Sequence, residues 1–354
     1  MSCDAELRVV LAGASGGVDP GRLARRHGCK TLLRAAPGML ERMGALPALI
    51  DALRLARGAD LEVYRTELGE RGIVCLTRSQ AGYPERLHQL HDPPLAVFLC
   101  GPRADALCWP APAAAVVGSR RSSDAGLLLA ERLAGAVAAA GGLVVSGLAL
   151  GVDAAAHEGA LSAGGVTVAV LGCGVDVAYP RTNRRLFSRI RESGLLLSEY
   201  PPGTPPAPWR FPARNRLIAA LADATVVVEA RAGSGALITA DHALDLGRDV
   251  LAVPGAAGLK SAAGANGLLK AGAGLIESAE DLCAWLGLAP PAPMGEPPEG
   301  DERGVLSALQ DHPATPDDLA SRLTLPAAAV AAALVRLELS GRAARCADGS
   351  WSAR

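Results

Sequence analysis

The sequence has few aromatic residues and almost no lysine. Phenylalanine, tyrosine and tryptophan make up 3% of the 354 residues, although half of all residues are hydrophobic. A core built mainly from alanine, valine and leucine is therefore expected. Only three of the 35 basic residues are lysines, namely Lys30, Lys260 and Lys270. Because a GC-rich genome also favours arginine codons, the positions of the arginines are more informative than their number.

The eight cysteines provide no zinc-site pattern. No two of them have the Cys-x-x-Cys spacing, and no histidine-rich segment completes a zinc set. The cysteines are therefore expected to be reduced thiols in a cytoplasmic protein. The N-terminus lacks the basic stretch and long apolar run of a signal peptide. Residues 133–152 are uncharged and long enough to cross a bilayer, but their five glycines favour a helix end, a Gly-Gly turn and a buried strand. No membrane insertion is expected.

Arginine and aromatic side chains are concentrated between Tyr179 and Arg216. This segment holds five of the eleven aromatic residues and eight arginines against two carboxylates, Glu192 and Glu199. Guanidinium groups neutralise phosphates and flat rings stack on unpaired bases, so the segment predicts an interface for single-stranded nucleic acid. The net charge of the whole chain is only −1, so the basic patch is local. The arginines are Arg181, Arg184, Arg185, Arg189, Arg191, Arg210, Arg214 and Arg216, and the rings are Tyr179, Phe187, Tyr200, Trp209 and Phe211.

The pattern of the first 110 residues predicts two segments, a small helical domain and a connector. Residues 1–70 contain short helical stretches broken by glycine and proline, typical of a small helical domain of the sterile-alpha-motif or helix-hairpin-helix kind. Such a domain either grips a DNA backbone or serves as a packing or partner module. Residues 71–110 contain Tyr83-Pro84 and Asp92-Pro93-Pro94 and are predicted to be a connector.

Residues 111–287 predict an α/β fold, a Rossmann-like doubly wound parallel sheet. Short, continuous apolar runs alternate with helix-length stretches, as expected for strands that are buried on both faces and joined by helical crossovers. The predicted strands are Ala115–Val117, Leu143–Val145, Val166–Leu171, Leu195–Leu197, Thr225–Val228 and Val250–Val253. The predicted helices are Asp124–Ala140, Val152–Ala163, Thr182–Ser193, Asn215–Leu221 and Ala236–Leu246.

The remaining residues predict a linker and a second small domain. Residues 288–300 hold five prolines and are expected to be extended. Residues 301–354 contain three helical stretches and a possible hairpin through Asp348-Gly349, which is the pattern of a winged helix. These residues carry six arginines and seven acids, and the third helix carries only Arg336 and Glu338. A surface for packing or protein contact is therefore favoured over a helix that reads DNA.

Glycine-rich turns follow the predicted strands at the edge where open α/β sheets bind ligands. Their backbone amides and serine hydroxyls, together with helix N-termini, predict an anion-binding rim. The first turn matches neither the dinucleotide-binding nor the P-loop pattern, so no nucleotide cofactor is expected. The turns are Gly118-Ser119-Arg120, Ser146-Gly147, Gly172-Cys173-Gly174, Gly233-Ser234-Gly235 and Pro254-Gly255.

Catalytic or metal-binding constellations are sparse. Asp153 and His157 are spaced four residues apart on one predicted helix. Such a pair either ligates a metal or acts as acid and base, or it only stabilises its own helix, which is the more frequent case. Asp241-His242 presents the same alternatives.

These motifs together resemble the DprA/Smf family of bacterial DNA-processing proteins, over roughly residues 105–285. The matching motifs are Val-Gly-Ser-Arg at 117–120, Ser-Gly-Leu-Ala-Leu-Gly-Val-Asp-Ala-Ala-Ala-His at 146–157, Gly-Cys-Gly-Val-Asp-Val-Ala-Tyr-Pro-Arg-Thr-Asn at 172–183, Ser-Glu-Tyr-Pro at 198–201, Phe-Pro-Ala-Arg-Asn-Arg at 211–216, Ser-Gly-Ala-Leu-Ile-Thr-Ala at 234–240 and Val-Pro-Gly at 253–255. Ala236 stands where serine is common in relatives, which removes one possible hydroxyl donor.

The resemblance implies a homodimer, formed through the Rossmann-like domain, that binds and protects incoming single-stranded DNA. It also implies loading of the RecA recombinase during natural transformation, without catalysis. Arg120 and Arg181 would contact phosphates. The full expected DNA-binding set is Gly118, Ser119, Arg120, Ser146, Gly147, Arg181, Asn183, Arg184, Phe187, Arg214, Asn215, Ser234 and Gly235.

Two other functions are compatible with parts of the sequence. The same sheet edge would suit an enzyme that processes nucleotides, although the loop at 231–239 lacks the Pro-Gly-Gly-x-Gly-Thr pattern and following glutamate of related nucleotide hydrolases. A sequence-specific regulator acting through the winged helix is the third possibility.

Overall fold

The computed structural model describes residues 2–16, 20–108, 111–289, 299–346 and 349–353. The chain divides into two compact units on either side of the junction between residues 290 and 291. The predicted boundary at residues 70–71 therefore lies inside the first unit. Most of the predicted linker, residues 290–298, lies outside the described residues.

A nine-stranded sheet organises the first unit. Its strand order is β1-β2-β6-β5-β4-β3-β7-β8-β9. Strands β3 to β9 run parallel to one another, whereas β2 runs antiparallel to both β1 and β6. The strands are β1 (Ile73–Thr77), β2 (Ala96–Cys100), β3 (Ala113–Val117), β4 (Leu143–Ser146), β5 (Val166–Leu171), β6 (Leu195–Ser198), β7 (Ala224–Val227), β8 (Asp249–Ala252) and β9 (Gly274–Leu275).

The α/β prediction is confirmed, and the six predicted strands correspond to β3 to β8. Continuous apolar runs identified them because each is covered on both faces. In β5 every residue is buried: Val168 and Val170 point into one core, while Ala169 and Leu171 point into the opposite one. The predicted connector at 71–110 is wrong, because it contributes β1 and β2 to the sheet.

Eight helices pack on the two faces of the sheet. Helices α11 and α12 bury alanine-rich surfaces against one face, and α8, α9 and α14 cover part of the other. The helices are α7 (Glu85–His88), α8 (Asp124–Ala139), α9 (Val152–Ser162), α10 (Arg184–Ser193), α11 (Arg210–Leu221), α12 (Gly235–Asp245), α13 (Ala263–Lys270) and α14 (Ala279–Trp285).

The N-terminal helices share a core with the sheet. Leu7 and Leu53 belong to the same apolar cluster as Phe98 of β2 and Ile190 of α10. The helical prediction for residues 1–70 is correct, but the helices cover a face of the sheet instead of forming a separate unit. They are α1 (Ser2–Gly16), α2 (Gly21–His27), α3 (Cys29–Arg34), α4 (Pro37–Arg42), α5 (Pro47–Arg57) and α6 (Leu61–Glu70).

The second unit has the predicted winged-helix pattern and its own core. Val305, Leu319, Leu334 and Trp351 are among the residues buried in it. Asp348 of the predicted hairpin turn lies outside the described residues. The elements are α15 (Asp301–Asp311), α16 (Pro316–Leu323), α17 (Ala327–Leu339), β10 (Ala343–Arg345) and β11 (Trp351–Ala353).

Within the described ranges, no single helix has the length and apolar character needed to cross a membrane. Only a sharply bent pair, Pro316–Leu323 with Ala327–Glu338, meets those two criteria together.

The buried imidazole of His157 ties α9 to the sheet. Its Nδ1 lies 2.7 Å from Thr167 Oγ1, and that hydroxyl donates to the Val144 carbonyl at 3.0 Å. Nδ1 must therefore carry the proton, while Nε2 is buried without a partner among the described residues. Burial, and secondarily the charge of Arg214, lowers the pKa of His157 to about 3. Asp153 and His157 thus act separately in the structure, and His157 has a packing role.

We expect His157 to make stability depend on pH. The unfolded chain protonates this ring near its ordinary pKa of 6.5, whereas the folded chain does so only near 3. Unfolding therefore takes up a proton between these values, and stability falls as the pH drops below 6.5. Urea unfolding from pH 7 to pH 4 should show that the wild type loses up to about 1.4 kcal/mol per pH unit more than His157→Gln. Parallel pH profiles for the two proteins would contradict this role.

Candidate nucleic-acid interface

The candidate site lies where the strand order reverses. β3 is hydrogen-bonded to β4 on one side and to β7 on the other, so the chain leaves β3 and β7 in opposite directions across the sheet. In doubly wound sheets this switch point opens a crevice beyond the carboxyl ends of the strands. A cavity of about 420 Å³ occupies that position. We call it the rim cavity; its lining includes Gly118, Ser119, Arg120, Arg121, Asp153, Phe211, Arg214, Asn215, Arg231, Ser234 and Gly235.

The turn after β3 presents Arg120 to solvent beside the rim cavity. The turn after β3 packs tightly on the turn after β4. Gly151 has φ +79°, and a Cβ atom at this position would lie 2.2 Å from the Ser119 carbonyl oxygen. The Val152 amide donates to that same carbonyl at 3.2 Å. Only glycine allows this approach, so the position of Arg120 depends on the neighbouring turn.

The N-terminus of α8 is already occupied by a carboxylate of the chain itself. Glu229 follows β7 and accepts hydrogen bonds from the Ser122 hydroxyl at 2.7 Å and from the Ser123 amide at 3.0 Å. Burial tends to raise the pKa of Glu229, but the hydrogen bonds from these two serines outweigh it and hold the pKa below its ordinary value. This helix end therefore already binds an anion, and the exposed cations lie on the other side of the turn.

Arg214 lines the rim cavity but is almost entirely buried. It is 3% exposed, and it donates to the Gly147 carbonyl at 2.8 Å and to the Val170 carbonyl. Burial raises the pKa of Asp153, and the charge of Arg214 opposes that rise. Its donors hold the ends of β4 and β5 together, which favours a structural role for Arg214 over the expected DNA contact.

Two aromatic rings stack at the edge of the rim cavity. The centroids of Tyr179 and Phe211 are 5.4 Å apart with an interplanar angle of 23°. Tyr179 is 41% exposed, and the guanidinium carbon of Arg120 lies 5.6 Å from the centroid of Phe211. Phe187, in contrast, is 6% exposed and packs in the core, so its ring is not available to a base. The exposed aromatic surface beside the rim cavity is therefore formed by Tyr179 and Phe211.

Three further cations lie around the start of α10. Arg181 is exposed just before this helix, and Arg184 and Arg185 are exposed in its first turn. Asn183 between them donates its side-chain amide to the carbonyls of Leu148 and Ala149, at 3.1 and 3.2 Å. Asn183 therefore fixes this segment to the turn after β4, and its amide hydrogens are engaged within the protein.

The loop after β7 adds a cation that the sequence did not single out. Arg231 is exposed and lines the rim cavity, as does Arg121. Arg121 and Arg231 both lie outside the arginine-rich segment 179–216 in sequence, and only the sheet topology brings them beside it in space.

Ser234 caps α12 by accepting from the Ala236 amide at 3.4 Å, and Asn215 donates to the Gly235 carbonyl at 3.0 Å.

Three predicted turns contribute less than expected. Ser146 is buried and donates to the Val116 carbonyl at 2.7 Å. Gly172 packs under the ring of Phe211, and Gly174 packs against the 201–203 segment. Gly255 is paired with Asn266 through two hydrogen bonds of 2.9 and 3.0 Å. The accessible rim is therefore formed mainly by the turns after β3 and β7 and by the start of α11.

The other arginines of the basic segment are largely engaged. Arg216 bridges Glu199 at 2.7 Å and Asp92 at 3.1 Å. Arg189 pairs with Glu158, and Arg210 stacks on Tyr200.

Among the described residues, no group of three or more histidine, cysteine, aspartate or glutamate side chains is placed to hold a metal ion.

The comparison with protein families identifies the chain. The family model described as DNA recombination-mediator protein A matches residues 74–287, and the DprA winged helix domain matches residues 278–349. The chain belongs to the DprA/Smf family. The first match covers more than half of the chain and includes the sheet and the rim cavity.

Individual relatives of this DprA/Smf protein agree. The putative DNA processing protein DprA of Mycobacterium tuberculosis H37Rv is 44% identical over 269 residues, which are 73% of this chain and 68% of the relative. Protein Smf of Synechocystis is 35% identical over 75% of this chain and 76% of its own length.

Two solved structures of the family also match. DprA from Streptococcus pneumoniae superimposes with a TM-score of 0.64 at 32% identity, covering 79% of this chain and 97% of its own. DNA processing protein A from Helicobacter pylori, described for its single-stranded DNA binding mode, matches with a TM-score of 0.55 at 30% identity, covering 61% and 96%.

A structural role for Arg214 predicts a loss of stability. Arg214→Met leaves two buried carbonyl groups without their donor and should lower the free energy of unfolding by about 3 kcal/mol. Arg184→Met removes an exposed guanidinium and should change it by less than about 0.5 kcal/mol. Denaturant unfolding of both variants measures the difference. Equal stabilities would show that Arg214 does not hold the sheet edge.

Proposed function

We propose that this DprA/Smf protein binds single-stranded DNA along the carboxyl edge of its sheet. The observation that carries the proposal is the grouping of exposed cations around a cavity next to a partly exposed ring stack. Arg120, Arg121 and Arg231 line the cavity, and the Tyr179–Phe211 stack lies at its edge. Phosphate neutralisation and base stacking are the two contacts that hold a single strand without reading its sequence.

Arg181 and Arg184 extend this cationic surface along the same edge. Of the thirteen residues expected from the sequence, Gly118, Ser119, Arg214, Asn215, Ser234 and Gly235 line the cavity with Arg120. Gly147 is buried and supports Arg214. The proposed DNA contacts are therefore Arg120, Arg121, Arg181, Arg184 and Arg231, with stacking on Tyr179 and Phe211.

The biological role we propose is that of a recombination mediator. The protein would protect incoming single strands, act as a homodimer and load the RecA recombinase during natural transformation. Membership of the family of recombination-mediator protein A supports this role. The RecA step is tested by whether the purified protein speeds the formation of RecA filaments on single-stranded DNA that is already coated by single-strand-binding protein. No acceleration would contradict it.

A non-catalytic function is favoured over nucleotide processing. The α8 end, which would receive a nucleotide phosphate in a dinucleotide-binding fold, holds the Glu229 carboxylate. His157, four residues after Asp153 on α9, is fully buried and has its Nδ1 proton committed to Thr167. We expect no base release from any nucleoside monophosphate in a chromatographic screen, and clear turnover would contradict the non-catalytic proposal.

Charge reversal at the rim tests the DNA interface. Arg120→Glu and Arg181→Glu each replace a phosphate contact by a repulsion, so affinity for oligo-dT at moderate salt should fall by about tenfold or more. Arg191→Glu is the matched control. Arg191 is exposed in the last turn of α10, about 10 Å along the helix axis from Arg184, at the end that points away from the rim.

Fluorescence anisotropy with a labelled oligonucleotide measures all three variants. The control should bind within about twofold of the wild type. If all three variants lose affinity equally, the effect is one of net charge, and the site assignment is wrong. If none loses affinity, single strands bind elsewhere.

The winged helix is expected to contribute little to DNA affinity. It forms its own unit, and Val335 is a half-exposed apolar residue on α17, where a helix that reads DNA would carry polar groups. A chain ending at residue 289 should bind oligo-dT within about threefold of the full chain at the same salt concentration. A loss of two orders of magnitude would place the main DNA contacts in the second unit.

A further inference from the structure

A second cavity opens beside the rim, between the N-terminal helices and the start of α11. It has a volume of about 310 Å³ and is open to solvent. We call it the α2–α11 cleft; Arg25, Tyr200, Trp209, Arg210, Arg216 and His242 are among its lining residues. The cleft lies wholly within the first unit, and neither the sequence motifs nor the rim cavity account for it.

The cleft is lined by stacked flat groups. The guanidinium carbon of Arg210 lies 4.8 Å from the centroid of Tyr200 and 5.0 Å from that of Trp209. Arg210 is 7% exposed, and its buried Nε has no hydrogen-bond partner among the described residues. Trp209 is 48% exposed. A large ring left open to solvent beside an unsatisfied cationic donor is suited to a planar ligand that carries an acceptor.

The charge of the cleft favours an anion. The positive charge of Arg216 is offset by both Glu199 and Asp92, with which it forms close ion pairs. The lining holds three arginines, Arg25, Arg210 and Arg216, against these two carboxylates, which leaves a net charge of +1. Arg25 is exposed and has no ion pair in the described part of the chain. A planar group joined to a negative charge is the chemistry of a nucleotide.

The cleft and the rim cavity meet at the first turn of α11. Phe211 lines the rim cavity, whereas Trp209 and Arg210, immediately before it in the chain, line the cleft. Farther along the helix, Arg214 and Asn215 face the rim cavity and Ala213 and Arg216 face the cleft. A strand that stacks on the Tyr179–Phe211 pair therefore lies next to a second aromatic surface.

We propose that the α2–α11 cleft is a second subsite for the bound single strand. One base of the strand stacks on Trp209, and the phosphate of that nucleotide lies near Arg25. This inference rests on the proposed DNA-binding function. It extends the strand's path from the sheet edge onto helix α2 and gives the N-terminal helices a direct part in holding the strand.

The test compares Arg25→Ala with Arg22→Ala in the full chain. Both arginines are exposed on α2, but only Arg25 lines the cleft. Each phosphate contact on a single strand contributes about 0.7 to the slope of log affinity against log salt concentration. Arg25→Ala should therefore make the slope for binding (dT)20 shallower by about 0.7, while Arg22→Ala should leave it unchanged.

Ring variants of Trp209 give an independent readout. Trp209→Ala should lower the affinity for (dT)20 by about five- to tenfold, and Trp209→Phe should retain most of it, because stacking requires a ring. Thymidine monophosphate is tested alongside by tryptophan fluorescence. Quenching by the mononucleotide without any effect of the variants on (dT)20 would show that the cleft takes free nucleotides, which overturns the proposal.

The outcome is separable from that of the rim. If Arg25→Ala matches Arg22→Ala and Trp209→Ala binds like the wild type while Arg120→Glu loses affinity, the cleft proposal is wrong and DNA binding at the rim stands. If Arg120→Glu also binds normally, the proposed function itself fails.

Discussion

One buried guanidinium holds the carboxyl edge of the sheet together. Arg214 donates to carbonyls at the ends of β4 and β5, beneath the turns that carry the exposed cations. Its burial is unfavourable for a charge and is offset by these hydrogen bonds and by the nearby Asp153 carboxyl. The turn after β3 packs on the turn after β4 through Gly151, so the position of Arg120 depends on the same anchor.

This arrangement divides the arginines between support and binding. Arg189, Arg210, Arg214 and Arg216 are committed to ion pairs, ring stacking or carbonyl groups. The remaining four of the basic segment, with Arg120, Arg121 and Arg231, stay exposed. A concentration of arginine in sequence is therefore not itself a binding surface. It supplies both the framework of the sheet edge and the cations that line it, and the fold decides which side chain takes which part.

The sequence predicted the architecture better than the roles of individual residues. Apolar runs such as Val166–Leu171 revealed β3 to β8, because strands covered on both faces keep a continuous hydrophobic pattern. Strands β1 and β2 were missed because Pro84, Pro93 and Pro94, which lie between them, favoured the prediction of a connector. The burial of Phe187 and Arg214 depends on how crossovers pack, which spacing along the chain does not show. Arg231 and Glu229 reach the site only through the pairing of β7 with β3, a contact between distant parts of the sequence.

We propose that a single strand lies along the carboxyl edge of the sheet at the switch point between β3 and β7. Photo-cross-linking of an oligonucleotide that contains 5-iododeoxyuridine, followed by peptide mapping, tests this path. We expect cross-links to Tyr179 or Phe211, the aromatic pair at the rim cavity. Cross-links confined to residues 301–354, with none in the sheet unit, would contradict it.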